Sequence, residues 1–206
     1  HINAVDCVTQ WQVVASVQAI SEAHLLSVIE EMLAQFPFEI LGFHADNGSE
    51  YVNYKVARLL DKLRIEFTRS RPRHSNDNGL AETKNGAVVR KEFGYEHIHR
   101  RHAARFDTFC REYLNPFLNF HRPCLFATEL ADPKKPGRIK RVYRPRDVMT
   151  PLDKLASLPD AASFLRPGVT LLELQQLARA LTDVQAAEEL NEARQALFRR
   201  AATRTG

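Results

Sequence analysis

Residues 38–50 read FEILGFHADNGSE. Phe38 to Ala45 is an apolar run closed by Asp46-Asn47-Gly48, the pattern of a buried strand that ends in a turn. Upstream, Pro37 stops a helix predicted over Ser21 to Gln35, where Leu25, Val28, Ile29, Met32 and Leu33 recur at helical spacing behind an N-capping serine. Before it, Ile2 to Val5 and Trp11 to Val17 are β-branched segments around the polar turn Asp6 to Gln10, which predicts an antiparallel hairpin. Downstream, Val52 to Lys62 is a short helix with a stripe of Val56, Leu59, Leu60 and Leu63, and Arg64 to Thr68 a short strand. Arg69 to Gly79 (RSRPRHSNDNG) is a polar loop. Leu80 to Phe93 is predicted as a helix, and so is Ala103 to Phe120, interrupted near Asn115-Pro116. Asp132 to Arg146 is expected as a loop or small hairpin. Leu152 to Leu165 is weakly helical, and Thr170 to Leu181 and Asp183 to Arg200 are amphipathic helices. The order of elements is α/β with a helical tail.

Composition narrows the class. The 206 residues are 44% hydrophobic and 26% charged, which excludes a wholly disordered chain. No apolar window reaches the ~18 residues of a membrane span, and no signal peptide is visible. Cys7, Cys110 and Cys124 are odd in number and widely spaced, so they read as reduced packing thiols in a cytosolic protein. His97, His99 and His102 lack a ligand partner at metal spacing and are expected to be solvated or phosphate-facing. The chain opens on His1 and its methionines are Met32 and Met149, so a fragment or processed product is expected.

The net charge of +4 is concentrated. Asp132 to Arg146 (DPKKPGRIKRVYRPR) holds seven basic residues and one acid, and Arg69, Arg71 and Arg73 form a tighter cluster. Both point to a nucleic-acid partner. Asp46 closes a strand, and Glu82 opens a helix; thirty-five residues lie between them. Two such carboxylates can share divalent cations for phosphoryl transfer, and their oxygen donors suit Mg²⁺ or Mn²⁺. The bland alternative is a turn cap at Asp46 and a helix-dipole partner at Glu82.

Taken together, His44-Ala45-Asp46-Asn47-Gly48-Ser49-Glu50 and Ser75-Asn76-Asp77-Asn78-Gly79-Leu80-Ala81-Glu82-Thr83-Lys84-Asn85 resemble the strand end and helix start of DDE transposases and retroviral-type integrases, at that family's spacing. Leu118-Asn119-Phe120-His121-Arg122-Pro123 and the later Thr150-Pro151 resemble further elements of bacterial insertion-sequence transposases. The resemblance covers roughly residues 2–155. It implies a ribonuclease H-like mixed sheet with flanking helices and a C-terminal helical tail. It also implies DNA nicking followed by strand transfer with two Mg²⁺ or Mn²⁺ ions, action as a homo-oligomer on DNA, and a cytoplasmic, nucleoid-associated setting without a membrane. Asp46 and Glu82 would be the retained metal ligands.

The family uses three acids, the first on the central strand. Asp6 is either that acid or a turn residue capping backbone N–H groups. In the second case the first acid and the central strand lie before His1, and the chain alone is expected to be inactive and unstable. The expected organisation is a partial catalytic core over 1–125, a basic arm or hairpin over 126–150 and a helical region over 151–206. DNA contacts are expected from Arg69, Arg71, Arg73, His74, Lys84, Asn85, Lys91, Lys134, Lys135, Arg138, Lys140 and Arg141. Two rivals are a nuclease of the same fold that cuts without joining and a non-catalytic DNA-binding remnant.

Overall fold

Ile2–Val5 (β1) and Gln12–Ala15 (β2) pair antiparallel, with Ile2 opposite Ala15 and Val5 opposite Gln12. The computed structural model describes residues 1–19, 22–45, 54–69, 79–95, 97–131 and 137–202, with residues 22–25, 54, 55 and 69 described by backbone alone. Side chains alternate across a strand, so β2 feeds two cores. Val13 and Ala15 join Trp11, Ile29, Met32 and Leu60 on one face. Val14 joins Val88, Phe106, Leu114 and Leu118 on the other.

The helix Glu22–Ala34 (α1) leads to Gly42–Ala45 (β3), Tyr54–Lys62 (α2) and Glu66–Arg69 (β4). β3 and β4 are parallel, with Ala45 opposite Arg69, so their C-terminal ends share one edge. The strand predicted over 38–45 is thus cut to its last four residues. Its first half spends its backbone elsewhere: Glu39 N–H donates to Phe164 O, and Pro37 O accepts from Arg166 N–H. Gly42 and His44 are exposed, so β3 is not the fully buried strand that the apolar run suggested.

Helix α3 runs through Gly79–Lys84, a π-helical turn at Asn85–Val89, and Arg90–Phe93. After a 3₁₀ turn at Arg100–His102, α4 runs through Ala103–Phe109 and the π-helical turns Cys110–Leu114 and Phe117–His121. The break predicted at Asn115-Pro116 does not occur. π-Helical turns flank Pro116 on both sides, and the wider register absorbs a residue with no N–H to donate. The segment expected as a loop or small hairpin belongs to a longer antiparallel hairpin, Cys124–Ala131 (β5) against Ile139–Met149 (β6), with a register shift between Leu125 and Ala127.

Pro151–Ala156 (α5) and Leu171–Arg179 (α6) each start in a capping box, Thr150 with Asp153 and Thr170 with Glu173. Asp183–Ala202 (α7) closes the chain. These helices are not an appendage. Leu152, Leu155 and Leu174 enter the first core, and Leu190 and Leu197 the second. The architecture is mixed α/β, with three two-stranded sheets among the described residues in a largely helical frame. No helix among the described residues is long and apolar enough to cross a membrane.

Candidate functional site

The hairpin turn fixes the role of Asp6. Its Oδ2 accepts from Thr9 N–H and Thr9 Oγ1, each at 2.6 Å, and from Val8 N–H at 3.2 Å. One carboxylate oxygen therefore closes the turn, as an Asx-type residue does. Asp46 lies outside the described residues and is next in sequence to Ala45, the last residue of β3. Glu82 sits in the first turn of α3, exposed, with no hydrogen-bond or ion-pair partner among the described residues. A free, exposed carboxylate fits a hard cation as an oxygen donor. Among the described residues no three His, Cys, Asp or Glu side chains gather where a metal ion could sit.

The basic residues divide. Arg71, Arg73, His74, Lys134 and Lys135 lie outside the described residues, and of Arg69 only the backbone at the end of β4 is described. Arg138, Lys140 and Arg141 are exposed on the β5–β6 hairpin, where Arg141 Nε is 3.2 Å from Glu129 Oε1. Lys91 is exposed and Asn85 half-buried on α3. Lys84 departs from expectation. It is 9% exposed, and its Nζ lies 2.9 Å from Cys124 Sγ, which takes it off the surface expected to meet DNA. His102 is likewise buried and accepts from Arg101 Nε, whereas His97 and His99 are exposed.

Cysteine environments also differ. Cys7 is exposed rather than packed. Its thiol is shifted up by partial burial and then by the Asp6 charge. Burial first, and the Asp107 carboxylate second, push the Cys110 thiol up to about 12.

The element resembling a transposase signature at 118–123 turns out to be a junction. Asn119 Oδ1 accepts from Gln12 N–H and its Nδ2 donates to Gln12 O, both at 2.8 Å. One helical turn earlier, Asn115 repeats this on Val14, at 2.9 and 3.1 Å. Two side-chain amides thus stand in for a neighbouring strand and close the outer edge of β2. By the alternation of antiparallel pairing, the backbone groups of Asn3 and Val5 point the opposite way, to an edge of β1 that no described strand pairs. Asn3 Oδ1 accepts from Gln12 Nε2 at 2.8 Å, and its Nδ2 is buried without a partner among the described residues. Arg122 donates to Ala87 O at 3.3 Å, inside the π-helical turn of α3. His121 Nδ1 meets Asp183 Oδ1 at 3.0 Å, at the start of α7. Sequence reasoning missed these structural roles because every partner is distant in the chain.

No family model matches the chain. A relative, the uncharacterized protein y4rM of Sinorhizobium fredii, is 32% identical over 90 residues. The match covers 44% of this chain and 26% of that protein, so the chain spans about a quarter of the relative's length.

Proposed function

We propose that the chain is the core of a DDE-type transposase or integrase, on a ribonuclease H-like sheet, which nicks DNA and transfers the freed strand end. The observation that carries this reading is the placement of Glu82, an exposed carboxylate in the first turn of α3 with no partner among the described residues. The other acid, Asp46, directly follows a strand of a parallel β–α–β unit, and ligands of α/β folds gather at such strand ends.

The two separate sheets support the finer fold. A strand pairing with the free edge of β1 on one side and with β3 on the other would unite β2, β1, β3 and β4 in one sheet. The far edge of β2 is already closed by Asn115 and Asn119, so that sheet can grow only from β1. Such a strand would also carry the first acid, since Asp6 is committed to its turn.

Asp46 and Glu82 would hold the divalent cations, Mg²⁺ or Mn²⁺. Bound there, two cations supply activation of the attacking oxygen and charge stabilisation of the leaving one. The remaining work falls to this chain's residues. Asn85, one turn beyond Glu82, would position the strand being cut. Arg138, Lys140 and Arg141 would meet phosphates along the β5–β6 ribbon, an element of a width that the major groove admits. Contacts of this kind are sequence-independent and salt-sensitive.

The test is a gel assay of the full-length natural protein with element-end duplex and Mg²⁺. Joined products are expected, lost in Asp46→Asn and Glu82→Gln and kept in Asp6→Asn. Cleavage without joining would select the nuclease reading. Binding without cleavage would select a DNA-binding remnant. Reversal of Lys140 and Arg141 to Glu should lower DNA affinity and reduce the log–log salt slope by about 2; an unchanged slope would remove the hairpin from the interface.

A further inference from the structure

Lys84 and Cys124 pose a problem that the DNA reading leaves untouched. They lie 40 residues apart, on α3 and at the start of β5, with Nζ 2.9 Å from Sγ. Lys84 is 9% exposed and Cys124 8%. A buried lysine is ordinarily paired with a carboxylate, yet the only partner of this Nζ among the described residues is the thiol sulfur. Glu92 is paired with Arg194 at 3.3 Å, whereas no carboxylate among the described residues is paired with Lys84 Nζ. The amine is aimed at the sulfur, and the two atoms are within reach of bonding chemistry.

We propose that Lys84 and Cys124 form a covalent nitrogen–sulfur cross-link when the protein meets hydrogen peroxide. In the first step the Cys124 sulfur attacks one peroxide oxygen. The S–O bond forms, the O–O bond breaks, and the sulfur is oxidised to a sulfenic acid while the other oxygen leaves as water. In the second step the lone pair of Lys84 Nζ attacks that sulfur. The N–S bond forms and the S–O bond breaks. The hydroxyl leaves as a second water, taking a proton from nitrogen. One peroxide is consumed, two waters are released, and the pair loses two hydrogens. Sulfenic acids condense with a nearby nitrogen in this way. A thiol reductant returns amine and thiol.

The other two cysteines lack the arrangement. Cys110 is completely buried, and its thiol is held protonated far above neutral pH. Cys7 is exposed beside the Asp6 carboxylate, with no lysine on its sulfur among the described residues. The cross-link would fasten α3 to β5 two residues beyond Glu82, tying the helix of the candidate acid to the basic hairpin. The chemistry stands on the Lys84–Cys124 contact alone and does not depend on the proposed function.

The experiment treats the full chain with hydrogen peroxide, digests it with trypsin under non-reducing conditions, and maps peptides by mass. The expected result is a peptide joining the Lys84 and Cys124 segments, lighter by two hydrogens than the sum of its parts, uncut after Lys84 and released by dithiothreitol. Cys124→Ser and Lys84→Arg should each abolish it, and Cys7→Ser should not. Because the decisive readout is on the unaltered chain, misfolding of a variant does not blur it. Cys124 oxidised to sulfenic or sulfinic acid with no joined peptide, or a Cys124 that stays unmodified while Cys7 reacts, overturns the proposal.

Discussion

Replacing Asn119 by alanine removes both partners of the Gln12 backbone at once. Asn119 and Gln12 are each 2% exposed, so water does not substitute freely for the lost amide. The N–H and C=O of Gln12 would be left buried and unpaired, at about 1–3 kcal/mol each. The structure thus sets a loss of about 2–6 kcal/mol, a large share of the ~5–15 kcal/mol that holds a typical domain together. The Asn119 bond to Asn115 O at 2.9 Å also goes. The measurement is urea unfolding followed by circular dichroism, paired with amide exchange at Gln12. The midpoint should fall with an unchanged slope, and the Gln12 amide should lose protection more than any amide of β1. Asn119→Asp is a sharper probe. It keeps the acceptor for Gln12 N–H but sets an oxygen against Gln12 O, so it should cost at least as much as alanine despite its near-identical shape. A loss under about 1 kcal/mol in Asn119→Ala, with Gln12 exchange unchanged, would refute the view that this amide serves as a strand edge.

Three further outcomes follow from the same bonds. Arg122→Met should leave global stability within about 1 kcal/mol but speed amide exchange in α3, because it frees Ala87 O in the π-helical turn; uniform exchange across the helix would disprove the tie. Thr150→Ala breaks the capping box of α5 and should cost about 1 kcal/mol by thermal or urea unfolding, with Thr150→Ser restoring most of it. Cys110 gives a pH signature. Burial, and then the Asp107 charge, push its thiol from the ordinary 9.0 up to about 12, so its contribution is complete below pH 9 and fades as pH rises towards 12. Wild type should therefore lose stability relative to Cys110→Ala across that window, at a slope approaching ~1.4 kcal/mol per pH unit; parallel curves for the two proteins would contradict the shift.

Legibility in the sequence followed the range of the forces involved. The β1–β2 hairpin could be read because Val13 and Val14 each face a core, and β-branched residues mark such strands. Helices α1, α2, α6 and α7 could be read because their apolar residues recur at helical spacing. The β5–β6 hairpin could be read only as a basic arm or hairpin over 126–150, without its strand bounds, for the opposite reason. Most of its side chains are exposed on both faces, so no alternation of apolar and polar residues betrays it. Phe38 to Leu41 looked like strand because three of its four residues are apolar, but Glu39 gives its N–H to Phe164 O and the neighbouring Pro37 O accepts from Arg166. Pro116 looked like a break because local rules cannot anticipate two π-helical turns. Lys84 was read as a surface cation because nothing nearby in sequence announces Cys124.

The segment around Asn119 carries the strongest lesson for function. It resembles a transposase signature, and a signature invites the thought that its residues touch substrate. Here they touch the protein. Asn119 seals β2, His121 meets the first residue of α7, and Arg122 reaches into α3. Four consecutive positions, residues 119–122, thus tie together a strand edge, helix α7 and the helix of Glu82. A residue can hold a site in register from a distance, and such a residue fails in a different way from one that does chemistry. On the proposed function, loss of Glu82 should leave the fold intact and remove cleavage. Loss of Asn119 should loosen β2 and lower stability first, with any activity lost in proportion to the unfolded fraction. Comparing activity per folded molecule separates the two, and assigns Asn119 to the scaffold if that ratio stays constant.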